Sequence, residues 1–367
     1  MSPQAKETLK VLVDCRMADW SGVGRYTRGL VRGLSAVEGM SLVLVTTPEA
    51  WPVLSAEAGV TLVRAKYRPF SLLGMLELSR VIAEQQPDVV HCLHFPTPTR
   101  LKAPLVVTMH DLTPLIVPEV MPSALKRGVY RYLNRRAVRL AARIVAPSES
   151  TMRDVERFFP EARGRMTAIA EAADDFASGD SAPVEAGARS PYILAMGNTK
   201  AHKDLPVLFA AFGEIAPTHP ELQVLLVGPE PQGYLAQSLP AGLCDRVSFT
   251  GAVDDDRLRA LYSGASVFAF PSRYEGFGLP PLEAMSLGAP VVAAEASSVP
   301  EVVGDAALLF PPGDAPALAA ALTRLLDDKS LRDELLGRGF ARAAGFSWAQ
   351  TARQTADVYR AAASRRD

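Results

Sequence analysis

The sequence predicts an α/β protein built from two tandem, doubly wound Rossmann-like domains. Short apolar runs alternate with longer amphipathic runs along the chain, a pattern typical of parallel sheets covered by helices on both faces. The alternation stops once, between Asp174 and Ser190, and then resumes. The length of 367 residues also favours two domains, because one domain usually takes about 100–200 residues.

A first domain is predicted over residues 1–173. Strands are expected at Leu9–Val13, Leu42–Thr46, Val60–Val63, Asp88–Cys92, Leu105–Met109, Ile144–Ala146 and Met166–Ile169. Helices are expected at Arg25–Ala36, Leu72–Glu84, Ala124–Ala142 and Thr151–Phe158.

Residues 174–190 are interpreted as the linker, because they are rich in Ala, Ser, Gly, Pro and Asp without periodicity. The second domain is predicted over residues 191–347, and a last helix over 348–363 could cross back to the first. The second set of strands is Tyr192–Met196, Gln223–Val227, Arg246–Phe249, Val267–Phe270, Val291–Ala293 and Leu308–Phe310. The second set of helices is Leu205–Ala216, Asp254–Tyr262, Pro280–Leu287, Pro316–Leu326 and Leu331–Ala344. Because ligands of such sheets bind at the carboxyl ends of the strands, we expect the two domains to face a cleft that takes two substrates.

The composition, with 48% hydrophobic and 22% charged residues, is ordinary for a soluble globular protein. A net charge of -1 argues against nucleic-acid binding, which needs a basic excess. The three cysteines are widely spaced, so neither a disulfide framework nor a zinc site is expected. Since no signal peptide and no membrane-spanning run is recognisable, a cytoplasmic protein is expected.

The densest motif covers residues 271–283 and follows an apolar strand. Gly276 and Gly278 let the backbone approach a ligand closely, and the two prolines after them suit the first turn of a helix. Free amides and a positive helix end favour an anionic or hydroxyl-rich ligand. The carboxylates of Glu275 and Glu283 can accept hydrogen bonds from pairs of sugar or ribose hydroxyls. The alternative is a plain strand–turn–helix with a helix-start carboxylate.

Two further segments follow strands in the same way. Lys200 and Lys203 stand in a strand-to-helix turn, where two cations can hold a diphosphate and stabilise it as it leaves; an ordinary solvated loop is the alternative. Gly22 and Gly24 form half of a dinucleotide fingerprint, with tight-turn packing as the alternative. Because Thr27 replaces the third glycine and no ribose acid follows, a nicotinamide oxidoreductase is disfavoured.

Histidines also cluster at predicted strand ends. His110, followed by Asp111, ends one strand, and that position favours a functional role over a structural one. His91 and His94 flank Cys92 at another. No metal site is expected there, because no further ligand cluster is evident, and we assign His94 to an acceptor pocket.

The helix predicted within residues 124–143 carries a basic repeat. An arginine recurs at every fourth residue, at Arg127, Arg131, Arg135, Arg139 and Arg143. Apolar residues fall largely on another side, at Leu125, Val129, Tyr132, Leu133 and Leu140. The helix is either a solvated face packed on the core or a surface that docks to anionic lipid or to an anionic or lipid-linked acceptor.

The segment from Glu275 to Glu283 resembles the E-x7-E motif of the retaining family-4 glycosyltransferases, which have the GT-B fold. The resemblance covers nearly the whole chain, and this motif is its most specific part. It implies that Glu275 binds the donor sugar and Glu283 the ribose of the nucleotide. It also implies that the backbone amides of Gly276, Phe277 and Gly278 contact sugar hydroxyls.

Other positions are similar to the family's pattern. Lys203 matches its lysine, but Thr199 stands where many relatives carry arginine, so we assign the second cation to Lys200. The glycine loop of the first domain would bring Gly22 and Gly24 against the donor diphosphate and the acceptor, with Arg25 on the acceptor side.

The His-Asp pair of the family places a histidine beside the donor sugar, so His110 would help to orient the sugar without being the general base. Glu301 lies in a segment that resembles one near the nucleotide, although a helix-start carboxylate is an equal interpretation.

We therefore predict a retaining hexosyltransferase that moves a sugar from a nucleoside diphosphate sugar to a hydroxyl acceptor, without cofactor or metal. Similarity to bacterial mannosyltransferase-like members makes GDP-mannose the first choice of donor. Transfer from a UDP-sugar to a small molecule, and a GT-B glycoside phosphorylase, are the alternatives. A catalytically silent sugar-nucleotide binding protein is disfavoured because Glu275 and Glu283 are both retained beside Lys203. The acceptor could be a polysaccharide precursor or a lipid-linked one, with the enzyme peripheral at the inner face of the membrane.

Overall fold

The computed structural model describes residues 8–20, 22–55, 59–178, 191–239 and 242–364. The chain divides into two compact units, each built on one parallel sheet. The first unit consists of Met1–Leu115, Met121–Ala172 and Ser347–Asp367. The second consists of Ile116–Val120 and Ala173–Phe346.

The first unit has a seven-stranded sheet in the order β3-β2-β1-β4-β5-β6-β7. The strands are β1 (Leu9–Asp14), β2 (Met40–Thr46), β3 (Val60–Arg64), β4 (Val89–Cys92), β5 (Leu105–Thr108), β6 (Ala141–Ala146) and β7 (Met166–Ala168). The helices are α1 (Gly22–Ser35), α2 (Trp51–Leu54), α3 (Leu72–Gln85), α4 (Thr113–Ile116), α5 (Ala124–Leu140) and α6 (Glu149–Phe158). Strand order reverses between β1 and β4, and ligands bind at the carboxyl ends of strands at such a switch point.

The second unit repeats this plan with a six-stranded sheet in the order β10-β9-β8-β11-β12-β13. Its first helix is α7 (Asp174–Ala177). The strands are β8 (Tyr192–Met196), β9 (Gln223–Val227), β10 (Val247–Phe249), β11 (Val267–Phe270), β12 (Val291–Ala294) and β13 (Ala307–Phe310). The other helices are α8 (Leu205–Ile215), α9 (Tyr234–Ser238), α10 (Asp255–Gly264), α11 (Leu279–Ser286), α12 (Val299–Val303), α13 (Ala315–Asp327) and α14 (Lys329–Ala344). The switch point lies between β8 and β11.

The strands are continuous apolar runs because both faces of each sheet are buried. Along β8, Ile193 and Ala195 pack into the core on one face of the sheet. Tyr192 and Leu194 pack into the core on the other face. Every residue of such a strand therefore gains from being apolar, which is why the strands were predictable from composition alone.

The last helix, α15 (Trp348–Ala363), belongs to the first unit. It packs against α1, where Gly29 and Gly33 allow close approach: a Cβ atom on Gly29 would lie 2.0 Å from the indole ring of Trp348. The Thr351 hydroxyl donates to the carbonyl of Ala170 at 2.8 Å. The predicted return of this helix to the first half of the chain agrees with these contacts.

The start of the predicted linker differs from the structure. Residues 174–177, predicted as the start of the linker, form α7 within the second unit. The reason is tertiary packing, because Phe176 is buried with its ring 6.2 Å from that of Tyr262. The remaining predicted linker residues, 179–190, lie outside the described residues.

The basic helix predicted within 124–143 ends at Leu140. Arg143 lies instead in β6, paired in register with Val106 of β5. The four-residue arginine spacing therefore continues past the end of the helix. The sequence prediction also omitted the helices of four or five residues, α2, α4, α9 and α12, which are too short to show a period.

The α1–α15 contact yields a stability prediction. Replacing Gly29 with Ala should lower the free energy of unfolding of the first unit by about 1–3 kcal/mol, because the added methyl must displace the Trp348 ring. Urea unfolding followed by tryptophan fluorescence measures this. Gly128→Ala in α5 is the matched control, since its Cβ would meet no atom within 4 Å. The control should be neutral or stabilising by up to about 1 kcal/mol; equal effects of the two variants would contradict the packing account.

Candidate active site

The glycine-rich loop 271–278 connects β11 to α11 in the second unit. Gly278 has φ +121, a conformation that favours glycine, and it immediately precedes the helix. Prolines occupy the first turn of α11, where the absence of an amide proton costs nothing. The remaining amides of the loop and the positive helix end are thus directed at the carboxyl edge of the sheet.

An ion pair joins this loop to the turn after β8. The Nζ atom of Lys203 donates to the Oε1 atom of Glu275 at 2.6 Å, and both side chains are largely buried. The same ammonium lies 5.6 Å from the centre of the Phe270 ring. The two residues predicted to hold the leaving diphosphate and the donor sugar are therefore in direct contact.

Two serines before α12 fix the position of Glu275. Its backbone amide donates to the Ser297 hydroxyl at 2.8 Å. The Ser298 hydroxyl donates to the carbonyls of Glu275 at 3.0 Å and Phe277 at 2.6 Å. Ser297 has φ +48, a strained conformation for a residue with a side chain. The two serines thus hold the loop in place. In the segment that contains them, the sequence had indicated only Glu301 as a site residue.

Arg273 fastens the turn that carries Lys203. Its backbone amide donates to His202 O at 2.8 Å, and its guanidinium donates to Ala201 O at 2.9 Å. The guanidinium also lies 3.4 Å from the carboxylate of Asp204. Burial raises the pKa of Asp204, and Arg273 opposes that shift. Arg273 was not singled out from the sequence, although it lies inside the motif.

The other predicted donor-binding groups of the second unit are arranged differently. Lys200 is exposed, and its backbone amide donates to the side-chain oxygen of Asn198. Glu283 is buried in α11, where the hydroxyl of Tyr262 donates to its Oε2 atom at 3.1 Å. Glu301 lies in the first turn of α12, and its carbonyl accepts from Arg342 at 2.5 Å. Lys203 and Glu275 are thus the pair that the fold brings together.

His110 lies at the carboxyl end of β5 in the first unit. Its Nδ1 atom is 3.3 Å from the carboxylate of Glu171, and its Nε2 atom is 2.9 Å from Leu93 O. Both ring nitrogens thus have polar partners, which fix the plane of the ring. Glu171 is 61 residues away in sequence, and no local pattern marked it.

His91 and His94 differ from each other in role. His91 is buried, with Nδ1 2.7 Å from the Tyr359 hydroxyl and Nε2 2.9 Å from the Thr108 hydroxyl. Both ring nitrogens are thus used in the core. His94 accepts from the Phe95 amide through Nδ1 at 2.8 Å, so its Nε2 atom carries the proton. Burial, and secondarily the charge of His110, lowers the pKa of each histidine to about 3.

The glycine segment of the first unit is helical. Gly22 begins α1, and Gly24 is in its first turn, so the predicted loop is the amino-terminal turn of a helix. A Cβ atom on Gly24 would lie 2.6 Å from Ala18 O, whereas one on Gly22 would meet no atom within 4 Å. Gly24 is therefore needed for packing, and Arg25 is partly exposed beside it.

The basic helix α5 exposes several of its apolar residues. The interpretation of this helix as a solvated face packed on the core would have buried them. Leu125 is 79% and Tyr132 67% exposed, and Val129 is half exposed. A third side, with Asn134, Ala137 and Val138, is buried instead. Arg135 and Arg139 both pair with Glu161, and the hydrogen bond from Arg135 is the main cause that lowers the pKa of Glu161 to about 2. Lys126 and Arg131 are exposed.

Within the described residues, no three His, Cys, Asp or Glu side chains are grouped so that they could hold a metal ion. None of the helices in the described part of the chain is both long and apolar enough to cross a membrane. All three cysteines are unpaired.

Two Rossmann-like units, each with polar groups at the switch point of a parallel sheet, define the GT-B architecture. Residues 20–175 match the family described as Glycosyltransferase Family 4, and residues 180–339 match Glycosyl transferases group 1. The chain belongs to the family-4 glycosyltransferases and is a glycosyltransferase enzyme.

The relatives include mannosyltransferases. The chain is 31% identical over 303 residues to O-antigen chain mannosyltransferase B from Escherichia coli, covering 79% of each protein. It is 32% identical over 264 residues to the serotype-specific mannosyltransferase WbdA from Escherichia coli, which covers 67% of this chain but only 32% of that longer protein.

Solved structures support the fold. Sucrose-phosphate synthase from Thermosynechococcus elongatus superposes with a TM-score of 0.77 at 23% identity, covering 96% of this chain and 98% of that one. HepE from Anabaena, in complex with UDP and glucose, superposes with a TM-score of 0.72 at 20% identity, covering 96% and 100% of the two chains.

The buried histidines predict an acid-dependent loss of stability. Because the pKa of His91 is about 3 in the folded chain and about 6.5 when unfolded, only the unfolded state takes up a proton as pH falls through 6.5. The free energy of unfolding should therefore fall by up to about 1.4 kcal/mol per pH unit for this residue below that pH. Urea midpoints between about pH 6.5 and 5, where carboxylates contribute little, measure the slope. His91→Gln should reduce the slope; an unchanged slope would show that His91 does not stay neutral.

Proposed function

We propose that this protein transfers a hexose from a nucleoside diphosphate sugar to a hydroxyl acceptor with retention at the anomeric carbon. The observation that carries the proposal is the contact between Lys203 and Glu275 at 2.6 Å, beside a glycine loop that opens a helix. A cation and a carboxylate held together can serve one ligand that has a diphosphate at one end and hydroxyls at the other. A nucleoside diphosphate sugar is such a ligand.

Each group has a separate task in the proposed reaction. The bond from the anomeric carbon to the diphosphate breaks, a bond to the acceptor oxygen forms on the same face, and the acceptor proton passes to the leaving phosphate. Lys203, with Lys200, offsets the charge that develops on the diphosphate. Glu275 accepts hydrogen bonds from sugar hydroxyls, and Glu283 does so from the ribose. No metal is required in this scheme.

The first unit is proposed to hold the acceptor and to orient the sugar. Glu171 and the Leu93 carbonyl fix the ring plane of His110, which is proposed to orient the donor sugar. Gly22 and Gly24 are proposed to lie against the donor diphosphate and the acceptor. Arg25 and His94 are proposed to face the acceptor, and Glu301 the nucleotide.

GDP-mannose is the proposed donor, and the mannosyltransferases among the relatives support this choice. The name of O-antigen chain mannosyltransferase B supports a polysaccharide precursor as the acceptor. A UDP-sugar donor is the alternative, which a comparison of both donors decides.

Loss of the cation should abolish efficient turnover. Lys203→Ala should lower the rate of GDP release from GDP-mannose by about 100- to 1000-fold, because one strong electrostatic contact to the leaving group is typically worth about 3–4 kcal/mol. Lys329→Ala is the matched control, since Lys329 also forms an ion pair, at 2.5 Å with Asp333, but is exposed. The control should keep the wild-type rate. A folded Lys203→Ala variant with near-wild-type turnover would remove Lys203 from the mechanism.

We further propose that α5 docks at an anionic membrane surface, because exposed apolar side chains alternate there with Lys126 and Arg131. Replacing Leu125, Val129 and Tyr132 together with serine should abolish cosedimentation with vesicles of phosphatidylcholine and phosphatidylglycerol, since the apolar side chains supply the insertion energy. Phe340→Ser, at an exposed position of α14, should leave binding intact. Docking through α5 would be excluded if the triple variant bound the vesicles as well as the wild type. It would also be excluded if the vesicle binding of the wild type did not weaken as the salt concentration rises.

A further inference from the structure

An exposed pair of aromatic rings lies in the first unit at the carboxyl edge of its sheet. Trp20 follows β1 and Phe70 follows β3, and their rings stack with centroids 5.7 Å apart and planes 22° apart. Trp20 is 40% and Phe70 46% exposed. Neither residue has been assigned to the proposed donor site or to the basic helix α5. The two rings form a contiguous exposed apolar surface, and surfaces of this kind can serve as ligand-binding sites.

Other side chains of the first unit hold the aromatic pair in place. The Phe70 ring packs edge-on against Phe95 at 5.4 Å, and Phe95 packs against Tyr130 at 5.1 Å. The chain on either side of Phe70 is held by Arg16, whose guanidinium donates to the carbonyls of Tyr67 at 3.4 Å and Gly74 at 2.9 Å. A platform that is already ordered loses little entropy when a ligand binds.

Arg16 can hold this loop because it is itself fixed. It is buried and forms a bidentate pair with Asp14 at the end of β1, with both contacts at 2.7 Å. Two parallel hydrogen bonds of this kind fix the plane of the guanidinium. The position of Phe70 is therefore tied to β1, an interior strand of the sheet.

A line of rings connects the pair to the proposed sugar-orienting residue. Phe70 lies 5.6 Å from His94, and His94 lies 5.9 Å from His110, measured between ring centroids. Within the first unit, the surface thus runs from His110 through His94 to Phe70 and Trp20. A ligand that begins at His110 and is several rings long would reach the aromatic pair.

The chemistry of the surface suits a sugar ring better than an acyl chain. A pyranose has an apolar face of C–H bonds, which covers a flat aromatic ring, and hydroxyls around its rim. His94 supplies a polar group for that rim: because its Nδ1 atom accepts from the Phe95 amide, its Nε2–H is left to donate. An acyl chain would leave that donor unsatisfied, which is unfavourable.

We infer that Trp20 and Phe70 form an acceptor subsite that stacks on a neutral pyranose of a glycan acceptor, one or more sugar units away from the residue that is glycosylated. The inference rests on the proposed function, because it takes the reacting end of the acceptor to lie near His110. It adds to the proposed polysaccharide-precursor acceptor that internal sugar units contribute to its affinity.

Fluorescence of Trp20 tests the subsite directly. In a Trp51→Phe variant, the two remaining tryptophans are the exposed Trp20 and the buried Trp348. We expect the emission of this variant to change on titration with at least one of four trisaccharides: mannotriose, maltotriose, cellotriose and chitotriose. Phe70→Ala should weaken that binding at least tenfold. No response to any of the four sugars would overturn the subsite, as would a response to anionic vesicles that the sugars do not displace.

Kinetics then separate this inference from the proposed function. With the responding trisaccharide as acceptor, Trp20→Ala and Phe70→Ala should raise the acceptor KM at least tenfold and leave the KM for GDP-mannose and the rate of its hydrolysis unchanged. An unchanged acceptor KM would refute the subsite while the donor site stands. If the wild-type chain neither binds nor hydrolyses GDP-mannose or UDP-glucose, the proposed function itself is contradicted, and with it the subsite that rests on it. Phe340→Ala, at a similarly exposed aromatic of the second unit, is the control for loss of a surface ring.

Discussion

The ion pair between Lys203 and Glu275 is the interaction on which the arrangement of the second unit depends. It joins the turn after β8 to the loop after β11, the two strands on either side of the switch point. A largely buried ammonium or carboxylate alone would be costly, and each charge is tolerated because the other is close. A bound diphosphate would give Lys203 a second anionic partner and leave Glu275 able to accept hydrogen bonds from hydroxyls. The free protein thus keeps both groups in place before a ligand arrives.

The neighbouring contacts serve that pair. Arg273 holds the turn behind Lys203, and Ser297 and Ser298 hold the loop behind Glu275. The first unit uses the same principle with different residues, since Glu171 holds His110 and Asp14 holds Arg16. In the second unit, the two groups follow the strands on either side of the switch point and come from positions 72 residues apart in the chain. In the first unit, the carboxylate that holds His110 is 61 residues away, whereas Asp14 is only two residues from Arg16. This preorganisation lets such groups stabilise charge without rearranging during a reaction.

The sequence was most informative where a residue's environment is decided by its neighbours in the chain. The bounds of β8, β9 and β11 were predicted to the residue, because strands buried on both faces are continuous apolar runs. The end of α5 was missed because the arginine spacing continues into β6, and α7 was missed because Phe176 is ordered by packing on Tyr262. Glu171 could not be found, since its partner is 61 residues away. The motif predicted Lys203 and Glu275 separately, but their contact depends on the order of the strands.

The central claim is that the Lys203–Glu275 site binds a nucleoside diphosphate sugar, and a thermal-shift series tests it most directly. A ligand that binds only the folded state stabilises it by about 2.7 kcal/mol at a concentration 100-fold above its Kd. The account predicts that GDP-mannose raises the Tm more than GDP does, and that free mannose has no effect. If the donor is instead a UDP-sugar, that sugar should raise the Tm more than UDP does. If no nucleotide sugar raises the Tm at millimolar concentration, or if the nucleoside diphosphate alone always gives the full shift, the assignment of this pair to the donor is contradicted.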